Sequence, residues 1–166
     1  MNLQVQFIHS NTDQEIDNIA ELAKVIWRDH YIPIVGEEQV TYMLEKFQSV
    51  EAMTKQIEEG YAYYSILFNK ELIGYFAFIA EGQNLFLSKF YLHKEYRGRG
   101  FAKQSLHFIT EQAKKHQKTA IRLTVNKFNT NAIKAYLKMG FKNNGPTVAE
   151  IGNGFIMDDY EMLLVL

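Results

Sequence analysis

The stretch that decides the fold runs from Glu95 to Gln104 and reads EYRGRGFAKQ. It lies between an apolar run typical of a β-strand and a run typical of an α-helix. Glycine lets the backbone turn tightly or approach another group closely, and arginine offers charge-assisted hydrogen bonds to anions. Because the first N–H groups of a helix have no partner within the helix, this stretch predicts a pyrophosphate-binding loop. The alternative is a solvated basic turn.

Composition limits the classes of protein that the chain can represent. The chain has 166 residues, of which 47% are hydrophobic and 22% are charged, as in ordinary globular proteins. This length predicts one domain with one core. The formal net charge of -1 argues against a general affinity for nucleic acid or for an anionic membrane, so an anion site has to be local.

The chain contains no cysteine. This excludes disulfides, thiolate metal sites and a covalent acyl-cysteine intermediate. The N-terminus lacks the pattern of a signal peptide, and no apolar run approaches the roughly 20 residues needed to span a bilayer. We therefore expect a cytoplasmic protein without a membrane partner.

The first third of the chain predicts a strand followed by helices. Leu3 to His9 alternates apolar and polar residues, and Thr12 or Asp13 can cap the helix that follows. We expect this helix to end before Pro33, with a loop from Tyr31 to Gly36, because the residue before proline disfavours the helical conformation. Two shorter helices should follow, one with Val40, Met43, Leu44 and Phe47 on a single face and one from about Ser49 to Glu59.

The remainder predicts an antiparallel meander and then a strand–helix–strand unit. Aromatic and β-branched runs separated by short polar turns are typical of hairpins. The expected meander strands are Tyr61–Phe68, Leu72–Glu81 and Leu85–His93. After them we expect a helix at Phe101–Lys115, a strand at Ala120–Val125, a helix at Asn129–Met139, and strands at Thr147–Ile151 and Phe155–Leu166.

The fold class is therefore α/β (α+β), with a mixed, mostly antiparallel sheet and helices on both of its faces. The third meander strand and Ala120–Val125 are joined by a helix, so they should be parallel neighbours. We expect residues 1–166 to form a single domain without repeats or linkers.

Two motifs relate the chain to a known family. Neither G-x-x-x-x-G-K-[ST] nor G-x-G-x-x-G fits the opening stretch, but Arg97 to Ala102 follows R-x-x-G-x-A. Asn129 to Phe141 follows N-x-x-A-x-x-x-Y-x-K-x-G-F. Both motifs, in this order, resemble those of the GNAT family of N-acetyltransferases. The match is specific from about Leu72 to Phe141 and diffuse before it.

The resemblance implies an acetyl-coenzyme A site in a sheet whose central parallel strands splay apart. Backbone groups at the end of the third meander strand would contact the pantetheine and the thioester. The loop and helix start would bind the pyrophosphate, Asn129 the cofactor arm, and Tyr136 would lie near the sulfur. The implied cofactor-binding residues are Phe90, Tyr91, Leu92, Arg97, Gly98, Arg99, Gly100, Phe101, Ala102, Asn129 and Tyr136.

The same resemblance suggests how the reaction is catalysed. The backbone N–H of Leu92 would stabilise negative charge on the thioester oxygen, and Tyr136 would donate a proton to the departing thiolate. Alternatively, Tyr136 is only an aromatic packing residue on a half-buried helix. Many relatives carry a glutamate on the strand before Leu92, whereas this chain has none there. Solvent is therefore one candidate for the general base, and the others are Glu81, His93, Asp158 and Asp159.

The acceptor is expected to be a small primary amine, with the cofactor and the amine bound together. Trp27, His30, Tyr31 and Glu37 would lie on the acceptor side, and Asp158 would favour a cationic amine such as a polyamine or diamine. Adjacent strand residues face opposite ways, so Asp158 and Asp159 should not share a pocket without a bulge. The alternatives are a protein or peptide N-acetyltransferase and a non-catalytic acyl-coenzyme A sensor. We expect no metal and no nucleic-acid partner, and the family pattern suggests a homodimer.

Overall fold

Local sequence signals set the helix starts in the computed structural model, which describes residues 3–166. Thr12 caps the first helix: its side chain accepts a hydrogen bond from the backbone N–H of Glu15, whose carboxylate accepts one from Thr12. This reciprocal pair is a capping box. Ser49 caps the third helix with a single bond, in which its side chain accepts from the N–H of Ala52. The five helices are α1 Asp13–Val35, α2 Glu37–Phe47, α3 Val50–Glu58, α4 Phe101–Lys115 and α5 Thr130–Lys138.

Seven strands hydrogen-bond in the order β1-β2-β3-β4-β5-β7-β6. Neighbouring strands are antiparallel in the ladders β1–β2, β2–β3, β5–β7 and β6–β7, and β4 is parallel to β5. This confirms the predicted mixed α/β class, the meander and the central parallel pair. The strands are β1 Gln6–His9, β2 Ala62–Phe68, β3 Glu71–Glu81, β4 Asn84–Leu92, β5 Ala120–Asn126, β6 Lys142–Gly152 and β7 Phe155–Val165.

The described chain forms two compact units, and β3, β4 and α4 each contribute to both. The first unit comprises residues up to Ile79 together with Lys89–Phe108. Its core is aromatic: the ring of Phe108 lies 4.6 Å from that of Phe7 and 5.2 Å from that of Tyr64. Such ring pairs add to the free energy gained by burial alone.

The second unit comprises Ala80–Ser88 and Ile109–Leu166. The parallel ladder lies here and pairs Asn84–Phe86 with Ala120–Arg122. Apolar side chains on β5, together with Ile109 and Ala113 of α4, are buried in this unit. The prediction that both units act as one domain stays a prediction.

The predicted end of the first helix was wrong. Helix α1 continues through Pro33 to Val35 and ends at Gly36, whose φ of 88° suits glycine. Proline inside a helix removes one hydrogen bond and costs about 3 kcal/mol. The helix resumes its hydrogen bonds beyond the proline, since the N–H of Gly36 donates to the carbonyl of Ile32 at 2.9 Å. Residues 31–35 of the predicted loop therefore form the last turn of α1, and Gly36 is its cap.

Strand β6 begins at Lys142, five residues earlier than Thr147, where the sequence predicts it. The added stretch contains glycine and proline, which weaken strand patterns. Its register against β7 shifts between Asn143 and Pro146. A bulged edge strand tolerates such residues.

Candidate functional site

The end of β4 lies in the first unit, where both its backbone and its side chains contact β3. Leu92 is buried, and the N–H of His93 donates to the carbonyl of Ile73 at 2.8 Å. The Phe90 and Tyr91 rings pack against Phe76 at 6.2 Å and Tyr75 at 5.3 Å, respectively. Both rings are therefore packed against β3, and the contact of their backbone groups with a cofactor stays a prediction.

Gly74 on β3 lies unusually close to this segment. A Cβ at position 74 would lie 2.4 Å from the carbonyl oxygen of Tyr91 and 3.2 Å from Cα of Leu92. Both neighbours are backbone atoms, which cannot move without displacing β4. Glycine at this position therefore permits the close approach of β3 to the end of β4.

We expect Gly74→Ala to lower the free energy of unfolding by about 2 kcal/mol, in the range observed for overpacked cores. The cause is the collision with Tyr91 and Leu92. Urea unfolding of the parent and the variant measures the difference. Equal midpoints and slopes would show that β3 and β4 separate at no cost.

The loop after β4 has the geometry that the motif predicts. A 3-10 turn, Lys94–Tyr96, precedes Gly98 and Gly100, whose φ angles are 76° and 83°. A Cβ at either glycine would meet nothing within 4 Å, so backbone conformation rather than crowding requires glycine there. Helix α4 then begins at Phe101. The loop backbone is thus open to a ligand beside a helix N-terminus.

The two arginines of the loop make different contacts. Arg97 donates from Nε and Nη2 to the carbonyl oxygen of Leu92 at 3.1 and 3.0 Å. The Arg99 guanidinium lies 5.3 Å from the ring centroid of Tyr96, whose hydroxyl donates to Glu71 at 2.8 Å. Arg97 is thus bonded to the end of β4, whereas Arg99 stacks on the loop itself.

At the start of α4, Phe101 and Ala102 can serve an anion only through their backbone groups. The side chain of Phe101 is 1% exposed, and its ring lies 4.8 Å from that of Phe68. Ala102 has no polar side-chain atom. The predicted roles of these two residues therefore depend on their N–H groups at the helix N-terminus.

In the second unit, Asn129 is a buried helix cap. Its side chain accepts a hydrogen bond from the N–H of Ala132 at 3.4 Å, and its own N–H donates to the carbonyl of Asn126 at 3.0 Å. This asparagine therefore joins the end of β5 to α5. The motif position has a structural role whether or not it also contacts a cofactor.

Tyr136 is half-buried on α5. Its ring lies 5.4 Å from that of Phe141, and its carbonyl accepts the N–H of Phe141 at 3.0 Å. Tyrosine and phenylalanine of the second motif thus pack together at the end of the helix. This contact orients the phenol, and it also gives Tyr136 a packing role.

Two of the candidate bases already hold basic side chains in the second unit. Glu81 bonds Arg122 at 3.0 and 3.3 Å. Asp158 forms an ion pair with Lys127 at 2.8 Å. In the first unit, Nδ1 of His93 accepts a hydrogen bond from the N–H of Glu95 at 3.2 Å. Both carboxylates are therefore already bonded to basic side chains.

Asp159 differs from these groups because it is buried, with 5% of its surface exposed. Burial raises the pKa of Asp159 to about 6, the neighbouring charge of Asp158 adds to this rise, and a hydrogen bond with Thr124 opposes it. Asp159 lies opposite Asn126 in the β5–β7 ladder. The sequence identified the pair of acids but not which of them is buried.

Lys89 on β4 was not singled out by its sequence. It is 6% exposed, and its ammonium donates to the carbonyl of Phe47 and, at 3.0 Å, to Oε1 of Gln56. The ammonium also lies 5.1 Å from the ring centroid of Tyr63, whose hydroxyl donates to the same Gln56 oxygen. Burial lowers the pKa of Lys89 to about 7. This network ties α2 and α3 to strands of the first unit.

The residues expected on the acceptor side are divided between the two units. Trp27 is buried on α1, and Tyr31 packs on it and, at 6.4 Å, on Tyr91. The ring of His30 lies 4.8 Å from that of Tyr31. Glu37 is exposed and lies 3.6 Å from Arg28, an ion pair that contributes little to stability. Asp158 belongs to the second unit.

Within residues 3–166, no three histidine or acidic side chains come close enough together to hold a metal ion. In the same residues, no helix is long and apolar enough to cross a membrane.

Comparison with known proteins places these features in a family. The model of the acetyltransferase (GNAT) domain matches residues 31–164. No curated protein matches the sequence. The solved structures include the PaiA N-acetyltransferase of Thermoplasma acidophilum in complex with coenzyme A. It has a TM-score of 0.82 and 21% identity, with 99% of this chain and 100% of that chain covered.

Two further structures have similar folds but differ in their acceptors. One is a chimera of the spermidine N-acetyltransferase SpeG from Vibrio cholerae and hSSAT, with a TM-score of 0.72, 18% identity, and 98% of this chain and 95% of that chain covered. The other is RimL, a ribosomal alpha-N-protein acetyltransferase in complex with coenzyme A. Its TM-score is 0.73 at 15% identity, with 98% of this chain and 94% of that chain covered. At these identities the likeness shows the fold alone.

Proposed function

The chain belongs to the GNAT family of acetyltransferases, and from this premise we propose that it acetylates a small cationic amine, such as a polyamine or diamine. The acyl donor is acetyl-coenzyme A. The absence of cysteine fits direct attack by the amine, because no thiol is present to carry the acetyl group. The observation that carries the proposal is the open glycine loop at the start of α4, in a chain that matches the family model.

The first unit would hold the pyrophosphate and the thioester. The loop fits a polyanion because its glycine backbone is unobstructed, a helix begins beside it, and two arginines flank it. Arg97, Gly98, Arg99 and Gly100 would contact the phosphates together with the N–H groups of Phe101 and Ala102. Backbone groups of Phe90, Tyr91 and Leu92 would bind the pantetheine, and the N–H of Leu92 would stabilise the developing oxyanion.

We propose that two side chains of the second motif take part in the reaction. Tyr136 would donate its hydroxyl proton to the departing thiolate, and the ring contact with Phe141 supports a fixed orientation for it. Asn129 caps α5, and we propose that its buried amide also contacts the cofactor arm.

For the general base we favour Asp159. The acceptor ammonium must lose a proton before it attacks, and a base is most effective when its pKa lies near the working pH. The pKa of Asp159 is about 6, and this buried residue of β7 lies opposite Asn126, whose carbonyl accepts the N–H of Asn129. The other carboxylate candidates, Glu81 and Asp158, are in ion pairs. Solvent is the alternative base.

Asp159→Asn is expected to lower kcat/KM at pH 7.5 about tenfold, below the usual range for a general base because water can take over part of the role. In the parent, kcat/KM should rise with pH through about 6 as the carboxylate loses its proton. This rise should be absent in the variant. Thiol release at pH 5 to 8 measures both profiles, with Glu161→Gln as the matched control, since Glu161 is an acid on the same strand that accepts a hydrogen bond from Asn144. If Asp159→Asn keeps the parental dependence of kcat/KM on pH, solvent takes the proton from the acceptor ammonium.

Acidic groups support a cationic acceptor. Tyr31, Glu37 and Asp158 are the proposed substrate contacts, and the spermidine acetyltransferase fold is one precedent. The fold of RimL favours a second candidate, transfer to a protein N-terminus. A cytoplasmic location, a homodimer and action as a single domain stay predictions.

A direct comparison of acceptors separates these candidates. Spermidine, putrescine, free lysine and a short peptide with a free N-terminus are each incubated with acetyl-coenzyme A, and the products are identified by mass spectrometry. We expect acetylated spermidine or putrescine at the highest rate. Acetylation of the peptide alone would replace the polyamine proposal with the second candidate. Binding of coenzyme A without any product would identify a sensor.

A further inference from the structure

Arg97 makes a contact that a phosphate ligand does not require. Two of the five N–H groups that a guanidinium carries, one on Nε and one on Nη2, converge on the carbonyl oxygen of Leu92 at 3.1 and 3.0 Å. The backbone N–H of Arg97 donates to the carbonyl of Lys94, which folds the loop back toward β4. Arg99 has no such bond to Leu92 in the described residues and stacks on Tyr96 instead.

The peptide group between Leu92 and His93 is consequently fixed at both of its polar atoms. Its carbonyl accepts from Arg97, and its N–H donates to Ile73 at 2.8 Å. On the preceding side, Gly74 brings β3 so close that a Cβ there would collide with the carbonyl of Tyr91. The backbone of Leu92 is therefore bounded by fixed groups before and after its Cα.

We propose that Arg97 is a positioning residue for acyl transfer, and that its guanidinium fixes the direction of the backbone N–H of Leu92 by holding the Leu92 carbonyl. The inference rests on the proposed function, in which that N–H stabilises the oxyanion. A donor of this kind acts only when it points at the developing charge, so a small rotation of the Leu92 backbone reduces its effect. The remaining N–H groups of Arg97 can bind phosphate, which links anion binding to the alignment of Leu92.

Three substitutions test this role. Arg97→Ala removes both the charge and the bonds to Leu92, whereas Arg97→Gln removes the charge but keeps an amide N–H that can reach the same carbonyl. Lys94→Ala removes a neighbouring exposed cation that bonds Asp29 at 3.2 Å and serves as the control for charge. If Arg97 only bound phosphate, both Arg97 variants would change KM for acetyl-coenzyme A equally and leave kcat unchanged.

We expect kcat to fall about tenfold in Arg97→Ala, as for the loss of one hydrogen bond from a charged group. In Arg97→Gln, kcat should stay within about threefold of the parent while KM for acetyl-coenzyme A rises as in Arg97→Ala. Lys94→Ala should keep the parental kcat. Parental kcat in both Arg97 variants, or an equal fall in both, would overturn the proposal.

Backbone amide exchange tests the same role without turnover. In Arg97→Ala the amide of His93, whose N–H donates to Ile73, should exchange about tenfold faster than in the parent. Arg97→Gln should retain most of the protection, and Arg99→Gln all of it. Unchanged exchange in Arg97→Ala would overturn the positioning role even in an active enzyme. If the parent shows these exchange differences from its variants and yet acetylates no amine, Arg97 positions Leu92, and it is the proposed function that fails.

Discussion

Tyr136→Phe is expected to lower kcat about 100-fold and to change the affinity for coenzyme A less than twofold, because general acid catalysis typically contributes at least that factor. The substitution removes the hydroxyl that we assign to the departing thiolate and keeps the ring. The contact of this ring with Phe141, at 5.4 Å between centroids, should persist, so the fold of α5 should not change. Thiol release gives kcat, and calorimetric titration with coenzyme A gives the affinity.

Tyr64→Phe is the matched control for this experiment. Tyr64 is also half-buried and stacks on Phe76 at 5.2 Å, but it belongs to the aromatic core of the first unit. We expect its loss of a hydroxyl to leave kcat at the parental value. If Tyr136→Phe behaves like Tyr64→Phe, Tyr136 is a packing residue and the proton of the leaving group comes from elsewhere.

Lys89→Met is expected to stabilise the protein at pH 6 by about 3 kcal/mol more than at pH 9. The folded state releases the Lys89 proton near pH 7, whereas an unfolded lysine keeps it to about 10.5. Between these values the unfolded state binds more protons, so the parent gains stability as pH rises. Each pH unit in this window changes the free energy of unfolding by about 1.4 kcal/mol, and pH 7 to 9 spans two units.

Urea unfolding of both proteins at pH 6 and pH 9 measures this difference. Methionine also leaves the Phe47 carbonyl and Gln56 without the lysine donor, but that cost does not vary with pH over this range. Lys89→Arg is the control, since arginine stays charged at both pH values and should lose the pH-dependent gain of the parent. If the free energies of unfolding of the parent and of Lys89→Met differ by the same amount at pH 6 and pH 9, Lys89 is charged and solvated at both pH values.

Much of the fold could be predicted from local sequence signals. The stretch from Glu95 to Gln104 forms the strand–loop–helix transition that its glycines and arginines predict, and α4 has the expected bounds. The meander follows from alternating apolar residues with polar turns between them. Pro33 was misleading because α1 continues beyond it and closes with a bond from the N–H of Gly36 to the carbonyl of Ile32, which a rule on the residue before proline does not anticipate.

The site was only partly predictable, because burial of a charge depends on the tertiary structure. A lysine in LFLSKFYL gives no sign that its acceptors come from α2 and α3, which are distant in sequence. Similarly, Asp158 and Asp159 are chemically alike in sequence, and only the ladder and the Lys127 contact distinguish them. The bonds from Arg97 to Leu92 were also missed, because a basic residue beside glycines is first interpreted as a phosphate ligand.

The central claim is that the protein transfers an acetyl group from acetyl-coenzyme A directly to an amine. The most direct test is thiol release from acetyl-coenzyme A, followed with a thiol reagent in the presence and absence of spermidine; the protein has no cysteine to contribute a background. We expect release that requires the amine and equals the amount of acetylated product. Thiol release at the same rate without amine, or no release with spermidine, putrescine, lysine or the peptide although coenzyme A binds, would contradict direct transfer.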